Sequence, residues 1–372
     1  MKMETLAVHA GTAPDPVTGS VAPPIHLSTN FIHGPASEEI HGYTYVRDKN
    51  PTQDRLEAAM SALEGGEDAL VFSSGMGATA AFFQTLEPNS HVIIPEDVYV
   101  HVRVLAATYF ANWQLKFTSV DTQSPAAVSA AVGPSTKVIW TETPSNPQMK
   151  IMDIAAVRRI AREAGAYLVV DNTFATPALQ RPLDLGADVV MHSTTKYCGG
   201  HGDVQGGCLV FKRRAPLYDK LFDIRMVLGA VCSPFNSWLI LRGLRTLPCR
   251  MERHSRNAMA VANALAQVKE VERVFYPGLP SHPGHEVAAK QMKQFGGMVS
   301  ILVKGGWDAA VRVVSRVKLF QAATSLGGVE SLIEHRASAE GEGSTSPRSL
   351  LRLSVGLEHP DDLIADLMQA LG

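Results

Sequence analysis

The chain has 372 residues, and its 34 Lys and Arg against 36 Asp and Glu leave a formal charge of −2. With 45% hydrophobic and 19% charged residues it is neither fibrous nor disordered, and a charge near zero without a basic block argues against nucleic acid as the main partner. No apolar run approaches the ~18 residues of a membrane span, the start Met1-Lys2-Met3-Glu4-Thr5 lacks the apolar stretch of a signal peptide, and four cysteines without a CxxC pair fit a reducing cytoplasm.

A soluble cytoplasmic protein of enzyme size is expected, with two or three packed units at ~100–200 residues each. Residues 1–48 are rich in Pro, Thr, Ser and His and read as an extended arm without a core of its own. Asn50-Pro51 caps and starts a helix, with Leu56, Ala59, Met60 and Leu63 on one face and Gly65-Gly66 at its end. Short apolar runs then alternate with helical stretches: Ala69–Phe72, His91–Ile94, Lys137–Trp140, Tyr167–Val170, Ala187–Met191 and Cys208–Phe211 predict buried strands. A helix capped by Asp153 and closed by Gly165 lies between the third and the fourth. The alternation predicts an α/β unit over residues 49–234, a mostly parallel sheet with helices on both faces.

Residues 235–372 read differently, as a smaller α+β unit. Phe235 to Val268 predicts one long helix interrupted at Pro248. Met298–Val303 and Leu350–Val355 predict strands, and Pro360-Asp361-Asp362 opens a last helix. The polar stretch between Ala337 and Arg348 predicts a loop.

Three motifs follow predicted strands. Ser73-Ser-Gly-Met-Gly77 is a glycine turn entering a helix, either a tight connection or a phosphate nest of free N–H groups at a positive dipole end. Asp171-Asn172-Thr173 is either a helix cap or an acidic ligand contact. His192-Ser-Thr-Thr-Lys196 offers a lysine that is either solvated or, if desolvated, suited to a Schiff base. Ser193 and Thr195, two apart, point the same way in an extended segment and reach one phosphate. A nest, a carboxylate and a lysine at the carboxyl ends of one sheet are the partners that pyridoxal phosphate needs. Thirteen histidines suggest a metal, but none lies in HExxH and His282-Pro-Gly-His285 contains two helix breakers, so no metal site is expected. A nicotinamide dehydrogenase lacks its GxGxxG after any early strand.

The sequence resembles the Cys/Met-metabolism (trans-sulfuration) family of pyridoxal phosphate enzymes, cystathionine γ-synthases and γ-lyases among them. The resemblance rests on Tyr45-Val-Arg47 with Asn50-Pro-Thr52, Asp97-Val-Tyr99, Glu142-Thr-Pro-Ser-Asn-Pro147, Ser193-Thr-Thr-Lys196-Tyr, Ser325-Leu-Gly-Gly-Val-Glu-Ser-Leu332 and Arg352-Leu-Ser-Val-Gly-Leu-Glu358. It implies the fold-type I architecture of pyridoxal phosphate-dependent transferases and a homotetramer, a dimer of dimers with shared active sites. Lys196 should hold the cofactor and shuttle protons, Asp171 should pair with the pyridine nitrogen, and Tyr99 should stack on the ring and act on the incoming substrate. Gly75, Met76, Ser193 and Thr195 should hold the phosphate, and Tyr45 and Arg47 should reach that of the neighbouring subunit. Arg352 should grip the substrate carboxylate, helped by Asn146 and Ser325; Asn146 is also placed near the ring hydroxyl. The implied reaction is γ-elimination or γ-replacement on a sulfur-containing or O-activated amino acid. Cystathionine β-lyase or methionine γ-lyase chemistry is the alternative, and a non-catalytic binding protein the reading from another class.

The pattern breaks at three places. Thr324 stands where γ-type relatives usually have Glu, Arg336-Ala-Ser338 replaces a common Pro-Ala, and Val100-His101-Val102-Arg103 replaces glycines and a small residue. His101 and Arg103 are expected at the pocket mouth, selecting a polar or anionic distal group.

Overall fold

A computed structural model describes all 372 residues. Seven strands form the larger sheet: β1 (Asp68–Phe72), β2 (His91–Pro95), β3 (Lys116–Val120), β4 (Thr136–Glu142), β5 (Tyr167–Asp171), β6 (Val189–His192) and β7 (Gly207–Phe211). Their order is β1-β7-β6-β5-β4-β2-β3, and only β7 runs against the others. Side chains alternate between the two faces as the two-residue strand period requires. Val71, Ile93, Ile139, Val170 and Val190 enter one core, and Leu70, Val92, Val138, Val169 and Val189 enter the other. Helices cover both faces, 51–64 on the first and 75–84 on the second. This is the expected α/β architecture.

Local signals work where expected. Asn50 Oδ1 accepts the Thr52 N–H at 2.8 Å, and Asp153 Oδ1 accepts the Ala156 N–H at 2.8 Å. Gly65 closes the first of these helices at φ 75°, a left-handed position that glycine occupies without a Cβ clash.

A second sheet of five strands, in the order β10-β11-β12-β9-β8, packs its own apolar layer. Its strands are β8 (Val271–Phe275), β9 (Met298–Val303), β10 (Gln321–Ala322), β11 (Leu332–His335) and β12 (Leu350–Ser354).

Three expectations are corrected. Phe235–Val268 is two helices, Pro234–Leu244 and Leu247–Leu265. The break falls at Arg245-Thr246, and Pro248 sits in the first turn of the second helix, where its missing N–H would have no partner anyway. The N-terminal segment is not wholly extended: Met3–His9 is a helix whose Met3 and Ala7 are buried on the main core. The 337–348 stretch begins as a short helix, Arg336–Glu340, before turning into loop. No helix is long and apolar enough to cross a membrane.

Candidate active site

Because β1, β2, β4, β5 and β6 are parallel, their carboxyl ends share one edge of the sheet, where ligands of open α/β sheets gather. The segments leaving that edge line one cavity of about 250 Å³, many times the ~30 Å³ share of a water molecule. Lys196, Tyr99, Gly75, Met76, Asn146, Asp171, Ser193, Thr195, Ser325 and Arg352 all line it. Residues from Gly75 to Arg352 are expected together only through their motifs; the fold brings them to one place.

Lys196 follows β6 and directs Nζ to Ser325 Oγ at 2.7 Å. Burial lowers its pKa to about 8, Arg352 adding to the effect and Glu334 opposing it. A lysine at that value carries a usable fraction of neutral, nucleophilic amine near neutral pH. Ser325 itself holds φ 96°, a costly backbone for a residue with a Cβ. That conformation delivers its hydroxyl to Lys196 and its carbonyl oxygen to Arg352 Nη2, at 3.1 Å.

Asp171 ends β5 in register with Glu142 on β4. Its Oδ1 accepts the Thr173 N–H at 2.9 Å, and no salt bridge neutralises it. Burial raises its pKa, while the Thr173 hydrogen bonds and nearby His192 hold it down. Glu142 is pushed well above the usual carboxylate range by burial and then by Asp171. Of the two, Glu142 is pushed further above its ordinary range, because Asp171 has the Thr173 hydrogen bonds and His192 to hold it down. Glu142 was not singled out as a site residue; its signal was an acid closing a strand next to the Asp171 strand. Its Oε2 accepts the backbone N–H of Tyr99 at 3.1 Å, which fixes the Tyr99 segment at the cavity. The Tyr99 hydroxyl meets His101 Nδ1 at 2.9 Å. Burial raises the Tyr99 pKa, against the pull of Arg336 and Arg352, so the phenol holds its proton at neutral pH.

The helix Gly75–Gln84 presents its amino end to the cavity. Ser74 Oγ accepts the Gly77 N–H at 2.9 Å, leaving the N–H groups of Gly75 and Met76 without a partner inside the helix. A Cβ at Gly75 would stand 2.9 Å from Ser193 Cβ and 3.1 Å from Met191 Cε, so the close approach of nest and Ser193 requires glycine there. Ser193 and Thr195 both reach the cavity, but not as an extended pair: Thr195 lies in a turn over residues 194–199. The Thr195 hydroxyl is bonded to Gly206, donating to its carbonyl oxygen at 3.1 Å and accepting from its N–H at 3.1 Å.

The other wall comes from the second sheet. Arg352 is on β12, an interior strand, and is 4% exposed, so it is a buried charge and not an edge-strand one. Its Nη1 donates to Asn146 Oδ1 at 3.0 Å and its Nη2 to Glu334 Oε2 at 2.7 Å. Asn146 is braced from both sides: Ser145 hydrogen-bonds Asp97, and Ser300 Oγ donates to the Pro147 carbonyl oxygen at 2.7 Å. Glu334 and Arg336 line the cavity and were not expected there as site residues.

Tyr45 and Arg47 lie away from this cavity. Tyr45 is 44% exposed, and Arg47 Nη1 donates to the Met226 carbonyl oxygen at 3.0 Å. Arg103 also differs from expectation. It turns to Thr345 and to Glu340, 3.9 Å away, and does not line the cavity, whereas His101 does.

The groups present fit pyridoxal phosphate. A depressed lysine amine, an unneutralised buried carboxylate and a helix amino end with two free N–H groups meet its aldehyde, ring nitrogen and phosphate.

Residues 4–372 match the family described as Cys/Met metabolism PLP-dependent enzyme. The chain is 49% identical over 374 residues to cystathionine gamma-synthase of Mycobacterium bovis, covering 99% of this chain and 96% of that protein. It is 44% identical over 379 residues to cystathionine beta-lyase of Coxiella burnetii, covering 99% and 97%. The crystal structure of metB from Corynebacterium glutamicum superposes with a TM-score of 0.97 at 46% identity, covering 100% of this chain and 98% of that one.

Proposed function

The chain belongs to the Cys/Met metabolism family of pyridoxal phosphate-dependent enzymes, and from that premise we propose that it carries out γ-replacement or γ-elimination on a sulfur-containing or O-activated amino acid, in the manner of a cystathionine γ-synthase. The convergence of Lys196, Asp171 and Arg352 on one cavity carries this reading.

Pyridoxal phosphate held there would supply an electron sink for the pair left at the substrate Cα. Asp171 holds a proton on the ring nitrogen by its negative charge at the end of β5. The Gly75 and Met76 N–H groups and the Ser193 hydroxyl hold the phosphate; Thr195 braces Gly206 and takes part only by exchanging that bond. Arg352 and Asn146 orient the substrate carboxylate, and the planar fork of arginine suits two oxygens at once. Lys196 Nζ takes the Cα proton and returns it, positioned by the Ser325 hydroxyl.

Tyr45 and Arg47 are proposed to complete the phosphate site of a neighbouring subunit in a homotetramer. They leave their own cavity, and the arm beside them keeps Val17 89% and Ile32 76% exposed, apolar surface that a partner covers. Sedimentation showing an active monomer would remove this part.

β-Elimination is the second reading. Thr324 lines the cavity where γ-type relatives usually carry Glu, and a relative at 44% identity is named a cystathionine beta-lyase. The deciding test offers purified protein O-succinyl-L-homoserine with L-cysteine, L-cystathionine, or L-methionine, and identifies the products. Cystathionine from the first pair supports the γ-synthase reading. Homocysteine and pyruvate from cystathionine favour the second. A protein that takes up no cofactor, or a Lys196→Ala variant as active as wild type, would sink both.

A further inference from the structure

Glu334 and Arg352 face each other in register across β11 and β12, and Arg336 starts the helix after β11. All three are buried, at 7%, 4% and 4% exposure, and all line the cavity. Glu334 uses a single oxygen for both arginines: Oε2 accepts from Arg352 Nη2 at 2.7 Å and from Arg336 Nη1 at 2.5 Å. Its Oε1 has no partner, and neither has Arg336 Nε. The cluster thus keeps a spare acceptor and a spare donor, each costly to leave unpaired in a buried place. Arg336 is anchored from behind. Its Nη2 donates to Glu340 Oε1 at 2.9 Å, and Glu340 Oε2 accepts from Ser344 Oγ at 2.6 Å and Ser346 Oγ at 3.0 Å.

We propose that Glu334 competes with the substrate carboxylate for Arg352, and that Arg336 is the positioning residue that holds Glu334 when the substrate takes its place. The proposal rests on the reading of Arg352 as the carboxylate site. Burial lowers the Arg352 pKa to about 10, Arg336 adding to it, so this guanidinium is stable beside an anion and strained without one. Two anions cannot share its Nη2 edge at bonding distance, so an incoming carboxylate displaces Glu334. A displaced Glu334 without a cation would be an unpaired buried charge. Arg336 Nη1 already bonds it, and the anchor on Glu340 keeps that guanidinium in reach. With Arg336 removed, Glu334 has only Arg352, and the substrate must break that pair.

Binding of 4-(methylthio)butanoate to the holoenzyme, by calorimetry, isolates the carboxylate site, because this probe has no amine to react with the cofactor. Glu334→Gln removes the competitor and should tighten binding several-fold. Arg336→Met should weaken it about tenfold, the factor that ~1.4 kcal/mol supplies. In the Glu334→Gln background, Arg336→Met should change binding by less than about threefold, because nothing then needs holding. Equal losses in both backgrounds would mean that Arg336 touches the ligand or only supports the wall, and would overturn the proposal; so would weaker binding in Glu334→Gln. Arg352→Met separates the two levels: if binding survives it, the carboxylate assignment itself is wrong, and if binding is lost while the Arg336 cycle shows no coupling, only the exchange fails. Should Arg336→Met not fold, Arg336→Lys keeps the charge but cannot bond Glu334 and Glu340 together, and it should show a smaller loss of the same sign.

Discussion

Replacing Lys196 by Met in cofactor-free protein is expected to stabilise the fold near neutral pH and to lose that gain in alkali. Burial brings the Lys196 pKa from 10.5 to about 8. At about 1.4 kcal/mol for each factor of ten, holding the charged amine in the cavity costs about 3 kcal/mol at pH 7. The sign follows from proton counts. Below pH 8 both folded and unfolded chains carry the proton, and the cost is complete. Between 8 and 10.5 the folded chain releases the proton first, so wild-type stability rises relative to the variant. Above 10.5 both are neutral and the difference vanishes. Methionine fills a similar volume but leaves Ser325 Oγ without its 2.7 Å partner, which takes back about 1 kcal/mol. The expected net gain is about 2 kcal/mol at pH 7. Urea midpoints of both proteins at equal concentration, at pH 7 and pH 10, measure it. A variant less stable than wild type at pH 7, or a gain that grows with pH, would refute a desolvated amine.

Asp171→Asn keeps the shape but removes the charge beside the ring nitrogen; turnover should fall ~10²–10³-fold while cofactor stays bound, read from kcat and from retained cofactor absorbance. Gly75→Ala places a methyl 2.9 Å from Ser193 Cβ and should cost ~1–3 kcal/mol in cofactor affinity, read by titrating apoprotein with pyridoxal phosphate. Asp366 accepts the backbone N–H groups of Lys318, Leu319 and Phe320 at 2.8, 2.8 and 3.1 Å. Burial raises its pKa, but these bonds outweigh burial and lower it below 3.8. Asp366→Asn should therefore destabilise by ~1–3 kcal/mol at pH 7, with the difference shrinking as pH falls through the lowered value, followed by thermal melts from pH 7 to 3.

The strands that apolar runs announced are those buried on both faces, such as Val92–Ile94 in β2 and Leu168–Val170 in β5. β3 escaped because Lys116-Phe-Thr-Ser-Val120 lies at the sheet edge, half in water, and carries the polar side chains such a place permits. β8, Val271-Glu-Arg-Val-Phe275, is likewise an edge strand and mixes charge with apolar residues. The helix Met3–His9 has no side-chain cap and only seven residues, too few to persist alone; packing of Met3 and Ala7 holds it. The break at Arg245-Thr246 has neither Gly nor Pro at it, and Pro248 marked the wrong place.

At the site, Lys196, Asp171 and the Ser73–Gly77 turn were legible because each follows its strand within a few residues, so local order in the chain implies a place at the sheet edge. Glu334, Arg336 and the true direction of Arg103 were not. Glu334 meets Arg352 on the neighbouring strand and Arg103 meets Glu340 and Thr345 far along the chain, and nothing in the order of residues states which guanidinium meets which carboxylate. The sequence by itself determined the sheet, its chemistry at the strand ends and the family, because those depend on short-range periodicity and contiguous motifs. Tertiary structure alone decided how the second sheet closes the cavity and which charges are neutralised there, because burial and distance set a charge's energy, and both arise only when remote segments pack.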